Sequence, residues 1–345
     1  MADLPLDPPP ASLVDAGRYN FGTYSGPIAR VNPLDLTSRA PRMLRNLRLK
    51  EWQAFQLGND EWFVLGAVYS TKVLALVQVI AVHKETATLH RWEAKVAPTR
   101  VQVAQGLDGT ESRGSSKGFT ISITNSTAEG TIAVRASHRG SSTVPEMELS
   151  AVGRCSPEEA GHLVICHPFA DDRMLYSDKS MMPMTGSIRM GALAVPFDDA
   201  SSFMIVDDHK GEYPAPMAYD WVTAAKRGES GAVVGFNLTD NQVRDPERYN
   251  ENAIFVGNVV HRLPAIHIER PTGEYGPWRV RDADGQVDVT FTPVVRNEMH
   301  VGPRRILAEY FGPFGWFDGT LVTQDGESIS VDAMFGMGEK KRIRF

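Results

Sequence analysis

The stretch FTISITNSTAEGTIAVRA, residues 119–136, contains two runs in which apolar and polar residues alternate strictly. Residues 119–123 and 131–135 both follow this period of two, which indicates strands with one buried and one solvated face. The segment between them is rich in Asn, Ser and Gly, which favour turns. Two strands joined so closely predict antiparallel neighbours in an all-β protein.

The same pattern extends outward through most of the chain. Residues 62–65, 72–82 and 89–96 are short apolar or β-branched runs, set off by Gly, Ser and charged residues. In the C-terminal half, Asp-Gly pairs at 284–285 and 325–326 lie between apolar runs and predict hairpin turns. Helical patterns are scarce, and the best are residues 157–162 and 220–227. Many short strands with close turns predict barrels or sandwiches.

The length of 345 residues favours two domains over one. Residues 1–17 are Pro-rich and are expected to form a flexible arm. A Gly- and charge-rich region around residues 158–172 is the best candidate for the boundary between domains. We therefore predict an N-terminal β-barrel over residues 18–165 and a C-terminal β-barrel over residues 166–345.

The composition excludes several classes of function. A net charge of −6 and a pI near 5.9 argue against a general binder of nucleic acids or of anionic membranes. Residues 39–50 are a local basic exception, read either as a solvated face or as an anchor for a carboxylate or phosphate head group. Two cysteines are too few for a disulfide framework. No signal peptide and no apolar run long enough to span a bilayer is apparent, so we predict a cytoplasmic protein without membrane insertion.

A first candidate site lies in YSDKSMMPMTGSIRMG, residues 176–191. Asp178 and Lys179 stand side by side between Tyr176 and an apolar run that contains Met182. Methionine side chains adapt to irregular surfaces, so this arrangement suits the lip of an apolar cavity. The alternative is an exposed Asp-Lys turn that leads into a core strand.

A second candidate is DDHKGEYPAPMAYDW, residues 207–221, which is crowded with titratable groups. Asp208 and His209 could exchange protons near neutral pH if burial shifts their pKa values. A solvated connecting loop is the alternative. Asp207, Asp208 and His209 with His167 lack the spacing of a metal site, and successive residues of a strand point to opposite faces. We predict no metal, and motifs for a serine hydrolase or a phosphate-binding loop are absent from the sequence.

Two further segments carry polar residues that suit a site. Asn237, Glu251 and Asn252 lie near predicted strand ends, where they could orient a substrate or a water molecule, or cap turns. Residues 50–56 alternate, so that Lys50, Trp52, Ala54 and Gln56 share one strand face and Glu51, Gln53 and Phe55 the other. The face with Glu51, Gln53 and Phe55 combines a carboxylate, an amide and an aromatic ring, and we expect it to line a cavity.

In their order along the chain, these segments resemble an uncharacterised family of two-domain bacterial and protist proteins, known as domain of unknown function 2804. The chain departs from the family pattern at His209, where a Trp or a similar residue is usual, and at its end, where Ile343 or Phe345 stands in place of a Trp. The residues that carry the resemblance are Lys50-Glu51-Trp52, Tyr176, Lys179, Met182-Pro183, Gly186, Asp208, Gly211, Pro214, Trp221, Asn237-Leu238, Glu251-Asn252, Gly257, Leu263-Pro264, Phe311-Gly312, Gly319 and Gly338-Glu339.

This family is in turn distantly similar to the lipocalin-like carotenoid hydratase and AttH group. The similarity implies an all-β fold of two lipocalin-like, calycin-type antiparallel β-barrels packed together. It also implies action on terpenoid or polyketide-like apolar substrates without a metal or redox cofactor. Function transfers poorly across such a distance, so the site residues themselves must carry the hypothesis.

The hypothesis is a cofactor-independent lyase or isomerase whose hydrophobic terpenoid- or lipid-like substrate lies in an apolar cavity. A carboxylic acid in such a cavity keeps its proton near neutral pH and could protonate a double bond. Lys179, Asp208 and Glu251 are expected to open onto one cavity. Asp208 is the first candidate for the proton donor, and Asp178 beside Lys179 is the second. Glu251, Asn237 or His209 could hold the water molecule, and the rings of Trp221, Tyr176 and Trp52 could stabilise developing positive charge. Further contacts with the substrate are expected from Met182, Asn252 and His167.

Two other interpretations stay open at this point. A non-catalytic carrier of a hydrophobic ligand needs the cavity but not the buried acid. A structural ion network between the two barrels needs neither. The predicted partner is a hydrophobic small molecule rather than a nucleic acid, and a homodimer is left open.

Overall fold

The structure is a computed structural model that describes residues 6–301 and 308–344. Helical structure in this range comprises α1 (Arg42–Arg48) and 3-10 turns at Pro33–Asp35, Pro98–Arg100 and Thr127–Glu129. The strands up to residue 212 are β1 (Val14–Asp15), β2 (Arg18–Tyr19), β3 (Gly22–Tyr24), β4 (Leu49–Gly58), β5 (Trp62–Ser70), β6 (Ala75–His83), β7 (Leu89–Val96), β8 (Val101–Gln102), β9 (Asp108–Ser116), β10 (Phe119–Ser126), β11 (Thr131–His138), β12 (Met147–Arg154), β13 (Gly161–Ala170), β14 (Arg173–Met190), β15 (Leu193–Phe197) and β16 (Phe203–Glu212). The strands after it are β17 (Met217–Arg227), β18 (Val233–Asn241), β19 (Ala253–Val256), β20 (Val259–Arg262), β21 (His267–Glu269), β22 (Trp278–Arg281), β23 (Val287–Val295), β24 (Glu298–Val301), β25 (Ala308–Phe311), β26 (Phe314–Val322), β27 (Ser328–Ser330) and β28 (Met334–Ile343).

Within the described residues, fourteen strands form a first, nearly closed barrel sheet with the main order β7-β6-β5-β4-β16-β14-β12-β11-β10-β9-β8. The long strand β14 holds this barrel together. Its first half pairs with β13 and β16, and its second half pairs with β12 and β15. The candidate residues at the start of β14 therefore lie between two hydrogen-bonded neighbours, in the middle of the sheet.

The second sheet is a half-barrel of twelve strands, again counted over the described residues, with the main order β20-β19-β18-β17-β28-β26-β23-β22-β21. Its concave side holds an apolar core that includes Val222, Phe236 and Trp278. The prediction of an all-β protein with two packed barrels is confirmed.

The two sheets change over later in the chain than the predicted domain boundary. Residues 165 and 166 lie inside β13, and β14 to β16 still pair with strands of the N-terminal half. The second sheet begins at Met217. Residues 6–17 of the predicted arm run along the first barrel, where Leu13 is fully buried and its backbone N–H donates to the carbonyl of Arg30. Long-range strand pairing, which local composition does not report, accounts for both differences.

The two barrels pack through the outer face of the first and the convex face of the second. Met181 and Phe203 of the first meet Trp221 and Phe255 of the second in one buried cluster. Gly235 permits close approach, because a Cβ atom there would lie 2.5 Å from the sulfur of Met181. This interface is the place where a site shared by both sheets is built.

Local patterns succeeded for strands and failed for helices. Both Asp-Gly hairpins are confirmed, and Gly285 has a φ of +79° that suits glycine in a tight turn. The predicted helix at residues 220–227 is wrong, because this segment lies within β17 and pairs on both sides with β18 and β28. Residues 157–162 form a turn and the start of β13. Burial between neighbouring strands outweighs the modest helix propensity of Ala224 and Ala225.

Candidate active site

An apolar cavity of about 560 Å³ lies between the two barrels. Strands β4, β5 and β6 form one wall, and β17, β25 and β28 form the other. This size is typical of pockets for small organic ligands, which combine an apolar lining with a few polar groups. The polar and aromatic members of the lining are Trp52, Tyr69, Thr71, Gln78, Lys95, Asp207, Tyr219, Trp221, Glu309, Tyr310, Glu339 and Lys341.

Asp207 is a buried carboxylate in the wall of this cavity. Its Oδ1 lies 2.7 Å from Nζ of Lys179 and accepts a hydrogen bond of 3.1 Å from the hydroxyl of Ser177. Its Oδ2 accepts a hydrogen bond of 3.0 Å from Nε1 of Trp52. Three donors, one of them an ammonium, hold the side chain in a fixed orientation.

Strand register explains why these groups meet. On β14 and β16, Lys179 pairs with Asp207 and Ser177 pairs with His209, while on β4 Trp52 pairs with His209. Residues two apart share a face of the sheet. Ser177, Lys179, Asp207, His209 and Trp52 are therefore brought together on the face that is turned toward the second barrel.

Glu251 supports the network from the second barrel. Its Oε2 lies 3.6 Å from Nζ of Lys179, and its Oε1 accepts a hydrogen bond of 2.6 Å from the hydroxyl of Tyr219. Burial raises the pKa of Glu251, and Lys179 offsets part of this increase. Burial opposes the charge of Lys179, yet Asp207 and Glu251 hold its pKa above the ordinary value. The ammonium is therefore charged and bridges carboxylates from both barrels.

A second ion pair lines the same cavity. Nζ of Lys341 lies 2.7 Å from Oε1 of Glu339 and 4.5 Å from the ring centre of Trp52. The rings of Tyr219 and Tyr310 also face this ammonium, at 5.6 and 5.8 Å. Trp52 thus joins the two ion pairs, since its indole N–H binds Asp207 while its ring faces Lys341.

His209 lies beneath the cavity wall rather than on it. Its ring stacks on Trp52 at a centroid distance of 3.7 Å, and its Nε2 lies 2.5 Å from the hydroxyl of Tyr213. Burial and the ammonium groups of Lys179 and Lys341 lower the pKa of His209 well below its ordinary value. The imidazole is therefore neutral, and it fixes the orientation of Trp52.

Asp178 and Asp208 face the opposite side of the sheet, toward the end of the first barrel. They pair directly across β14 and β16. Oδ1 of Asp208 lies 3.2 Å from Nζ of Lys210, which also donates to the carbonyl of Ala104 at 2.7 Å. Burial raises the pKa of Asp208 to about 7, although Lys210 opposes this shift. The expectation that Lys179, Asp208 and Glu251 open onto one apolar cavity is not met, because none of the three lines it. Lys179 and Glu251 lie behind Asp207 on the side of the cavity, whereas Asp208 faces away because consecutive residues of a strand diverge.

The structure separates the other sequence candidates into two groups. Trp52 and Trp221 line the cavity, and Asn237 supports it by accepting a hydrogen bond of 2.6 Å from Nε1 of Trp221. Tyr176, Met182, His167 and Asn252 do not line it. Tyr176 and Met182 face the first barrel, His167 lies 2.9 Å from the hydroxyl of Thr23, and Asn252 accepts a hydrogen bond from the backbone of Thr239.

The face of β4 that lines the cavity is the one with Trp52 and Ala54. The expectation for the other face is wrong. Phe55 belongs to the core of the first barrel, and Gln53 donates to Asn125 at 2.7 Å. Glu51 contacts Lys72 at the edge of a separate groove. Which face meets the cavity depends on the position of the second barrel, and an isolated strand pattern does not report that.

Sequence reasoning did not propose five of the lining residues as site candidates: Tyr69, Tyr219, Tyr310, Glu339 and Lys341. It considered Asp207 individually only as a metal ligand. The available signal was the alternation along β28, which places Glu339 and Lys341 on one face.

Among residues 6–301 and 308–344, no group of three or more His, Cys, Asp or Glu side chains is arranged to hold a metal ion. Over the same ranges, no helix combines the length and the hydropathy needed to cross a bilayer.

Comparison with known proteins gives one family and a few distant solved structures. CghA bound to Sch210972 is 12% identical, with a TM-score of 0.49 over 86% of this chain and 88% of that chain. Kievitone hydratase from Nectria haematococca has the same identity, TM-score and coverage. No curated protein matches the sequence. The family profile described as domain of unknown function (DUF2804) matches residues 8–345, and the chain therefore belongs to this family.

Proposed function

We propose that this protein is a cofactor-independent lyase or isomerase acting on a hydrophobic, terpenoid- or lipid-like small molecule. The observation that carries the proposal is the carboxylate of Asp207 in the wall of an apolar cavity, held by Lys179, Ser177 and Trp52. Burying such a network costs free energy. Titratable groups arranged in this way beside a cavity are typical of active sites.

Asp207 is suited to accept a proton rather than to donate one. The ammonium of Lys179 and two hydrogen bonds orient its carboxylate, so it would stabilise a developing cation or take a proton from an activated C–H bond. This differs from the acid role expected for Asp208, whose carboxyl lies behind the sheet. The substrate that fits best has an acidic C–H bond beside an oxygen function, at the end of an apolar skeleton.

Lys341 is the proposed partner of Asp207 on the substrate. In an elimination, Asp207 takes a proton from carbon, the C–O bond breaks, and the ammonium of Lys341 protonates the departing hydroxyl to give water. The products are an alkene and water, and the proton returns from Asp207 to Lys341 through solvent. In an isomerisation, the proton taken by Asp207 is returned to another carbon of the same molecule.

The surrounding residues position these two groups. Glu251, which accepts a hydrogen bond from Tyr219, holds Lys179 from the second barrel, and His209 supports the ring of Trp52. The aromatic faces of Trp52, Trp221 and Tyr219 would exclude water and favour positive charge that develops during the reaction.

The test compares two isosteric variants, Asp207→Asn and Asp208→Asn. Small molecules that co-purify with the protein are identified by mass spectrometry and then assayed, with terpenoid and acyl compounds, for turnover. Asp207→Asn should bind ligand but lose roughly 10²–10⁴-fold in turnover, whereas Asp208→Asn should stay within about tenfold of the unmodified protein. Full activity in Asp207→Asn would contradict the proposal.

A carrier of a hydrophobic ligand is the second candidate. The observation in its favour is that Lys179 and Trp52 already satisfy both oxygens of Asp207, so a bound ligand needs no polar contact with this wall. A carrier predicts that the co-purified molecule is returned chemically unchanged. It also predicts that Asp207→Asn binds this molecule as tightly as the unmodified protein does.

A further inference from the structure

The mouth of the cavity carries exposed apolar side chains. Val73 and Leu74 belong to the turn between β5 and β6, and both line the cavity. Val73 is 66% exposed and Leu74 is 40% exposed. Apolar residues at the entrance of a polar-rimmed pocket are expected where the pocket opens onto another apolar phase.

Helix α1 lies beside this turn and has an inverted polarity. Its Arg45 points inward, is buried, and donates from Nε to Glu212 at 3.0 Å. Met43, Leu44 and Leu47 point outward, and Met43 is 76% exposed. A helix at the surface of a protein in water normally buries its apolar residues and exposes its charges. The inversion is held in place by the contacts of Arg45, which also donates to the carbonyls of Pro33 and Leu36.

The turn and the helix occupy one side of the molecule. Asn46 of α1 and Lys72 of the turn line the same groove. The five exposed apolar residues of α1 and the turn are named here the apolar rim: Met43, Leu44, Leu47, Val73 and Leu74.

Exposed basic side chains lie around the apolar rim, in a chain with a net charge of −6. Residues 39–50 contain five basic and no acidic residues; Arg45 and Lys50 among them are buried, and the next residue, Glu51, pairs with Lys72. Arg39 and Arg42 are exposed, and Lys95 is an exposed residue that lines the cavity. Apolar side chains set among basic residues are complementary to the boundary region of a membrane that contains anionic lipids.

We infer that the apolar rim docks reversibly on the surface of an anionic lipid membrane. The five apolar side chains would enter the head-group boundary, while Arg39 and Arg42 contact lipid phosphates. The cavity mouth would then open toward the acyl chains, from which a hydrophobic molecule enters without crossing water. The docking is inferred from the exposed side chains of the apolar rim alone. The delivery of substrate by this route rests on the proposed function.

The experiment is co-sedimentation with vesicles of phosphatidylcholine, with and without phosphatidylglycerol. The unmodified protein should bind the anionic vesicles, and salt should weaken this binding because it screens the contact with Arg39 and Arg42. Two variants, Val73→Ser/Leu74→Ser and Met43→Ser/Leu44→Ser/Leu47→Ser, should each lose about tenfold or more in vesicle affinity. Arg39→Gln/Arg42→Gln should lose the preference for phosphatidylglycerol.

The matched control is Leu193→Ser/Val259→Ser, two apolar residues of similar exposure that lie on β15 and β20. This control should bind vesicles like the unmodified protein, and thermal melting checks that every variant is folded. Absence of binding to anionic vesicles, or equal loss in the control, would overturn the inference. Self-association through the rim, seen in sedimentation velocity without any vesicle binding, would also overturn it.

The result is separable from the proposed function. Turnover of a substrate supplied in free solution tests Asp207 and does not involve vesicles. Loss of vesicle binding with intact turnover in Met43→Ser/Leu44→Ser/Leu47→Ser, whose three residues do not line the cavity, supports docking as an independent property.

Discussion

Asp207 and Asp208 are neighbours in sequence and identical in chemistry, yet they belong to two different regions of the molecule. Asp207 faces the cavity between the barrels, where both of its oxygens have hydrogen-bond donors. Asp208 faces the end of the first barrel, where Oδ2 has no partner among the described residues. Because successive residues of a strand point to opposite faces of the sheet, only one of the two neighbouring carboxylates is available to a ligand in the cavity.

The two faces also differ in how well their charges are balanced. On the cavity face, one lysine bridges Asp207 and Glu251 across the barrel interface. On the barrel face, Lys210 contacts Asp208 and Nδ1 of His162 lies 3.0 Å from Oδ1 of Asp178, while the second oxygen of each aspartate has no hydrogen-bond partner within the described residues. On the cavity face both oxygens of Asp207 have donors, whereas on the barrel face burial raises the pKa of Asp208 to about 7.

The largest expected effect is the loss of a lysine from either face. Lys179→Met and Lys210→Met should each lower the free energy of unfolding by about 3–5 kcal/mol, because each leaves buried carboxylates without their cation. Urea unfolding measures this loss. Only Lys179→Met should also weaken the binding of a cavity ligand, since Lys210 lies on the other face. Arg189→Met, which removes two exposed ion pairs, is the control and should change little. Equal effects of both lysines on ligand binding would erase the distinction between the faces.

A pH dependence of stability should come from the barrel face. The folded pKa of Asp208 is about 7, above the value of about 3.9 expected in the unfolded chain, so the folded state binds more protons between these values. The stability that this proton contributes is fully present below about pH 4 and is lost as the pH rises to about 7. The full difference is on the order of 4 kcal/mol at most.

Urea unfolding across this pH range is the measurement. Asp208→Asn should remove this group's contribution to the slope of unfolding free energy against pH, because the amide does not titrate. Asp207→Asn should keep the slope. An unchanged pH profile in Asp208→Asn would show that another group carries the dependence.

A smaller contrast is expected for two buried tyrosines. Tyr219→Phe removes the donor to Glu251 and should cost about 1–3 kcal/mol in unfolding free energy. Tyr176→Phe removes a hydroxyl that has no partner among the described residues, so it should change stability by no more than about 0.5 kcal/mol. Thermal or urea unfolding of the two variants side by side provides the test, and a larger loss in Tyr176→Phe would contradict the assignment of partners.

Local sequence patterns report strands, faces and turns, because these depend on neighbouring residues. The alternation in residues 119–123 identified a strand whose inward residues Phe119, Ile121 and Ile123 are buried in the first barrel. The Asp-Gly pairs located two hairpins. The contacts of Lys179 with Asp207 and Glu251 depend on strand register and on barrel packing over long distances in sequence, and no local pattern contains that information.

The choice of Asp208 over Asp207 illustrates the limit. Alternation implies that the two carboxylates point to opposite faces, but both faces of β16 are buried, so hydrophobicity does not tell them apart. The same ambiguity affected Met182, which packs in the first barrel while neighbouring Met181 lies at the interface. The position of the second barrel resolves both cases.

The central claim is that an apolar ligand occupies the cavity beside Asp207, and blocking that cavity tests it most directly. Ala67 lines the cavity, and Ala67→Phe would place a ring within it; Ala194→Phe, at an exposed position on β15, is the matched control. Titration with anilinonaphthalene sulfonate, followed by its fluorescence, gives the affinity of each variant. We predict that Ala67→Phe weakens binding by about tenfold, or roughly 1.4 kcal/mol, and that Ala194→Phe leaves it unchanged. Equal affinity in Ala67→Phe and the unmodified protein would contradict the claim.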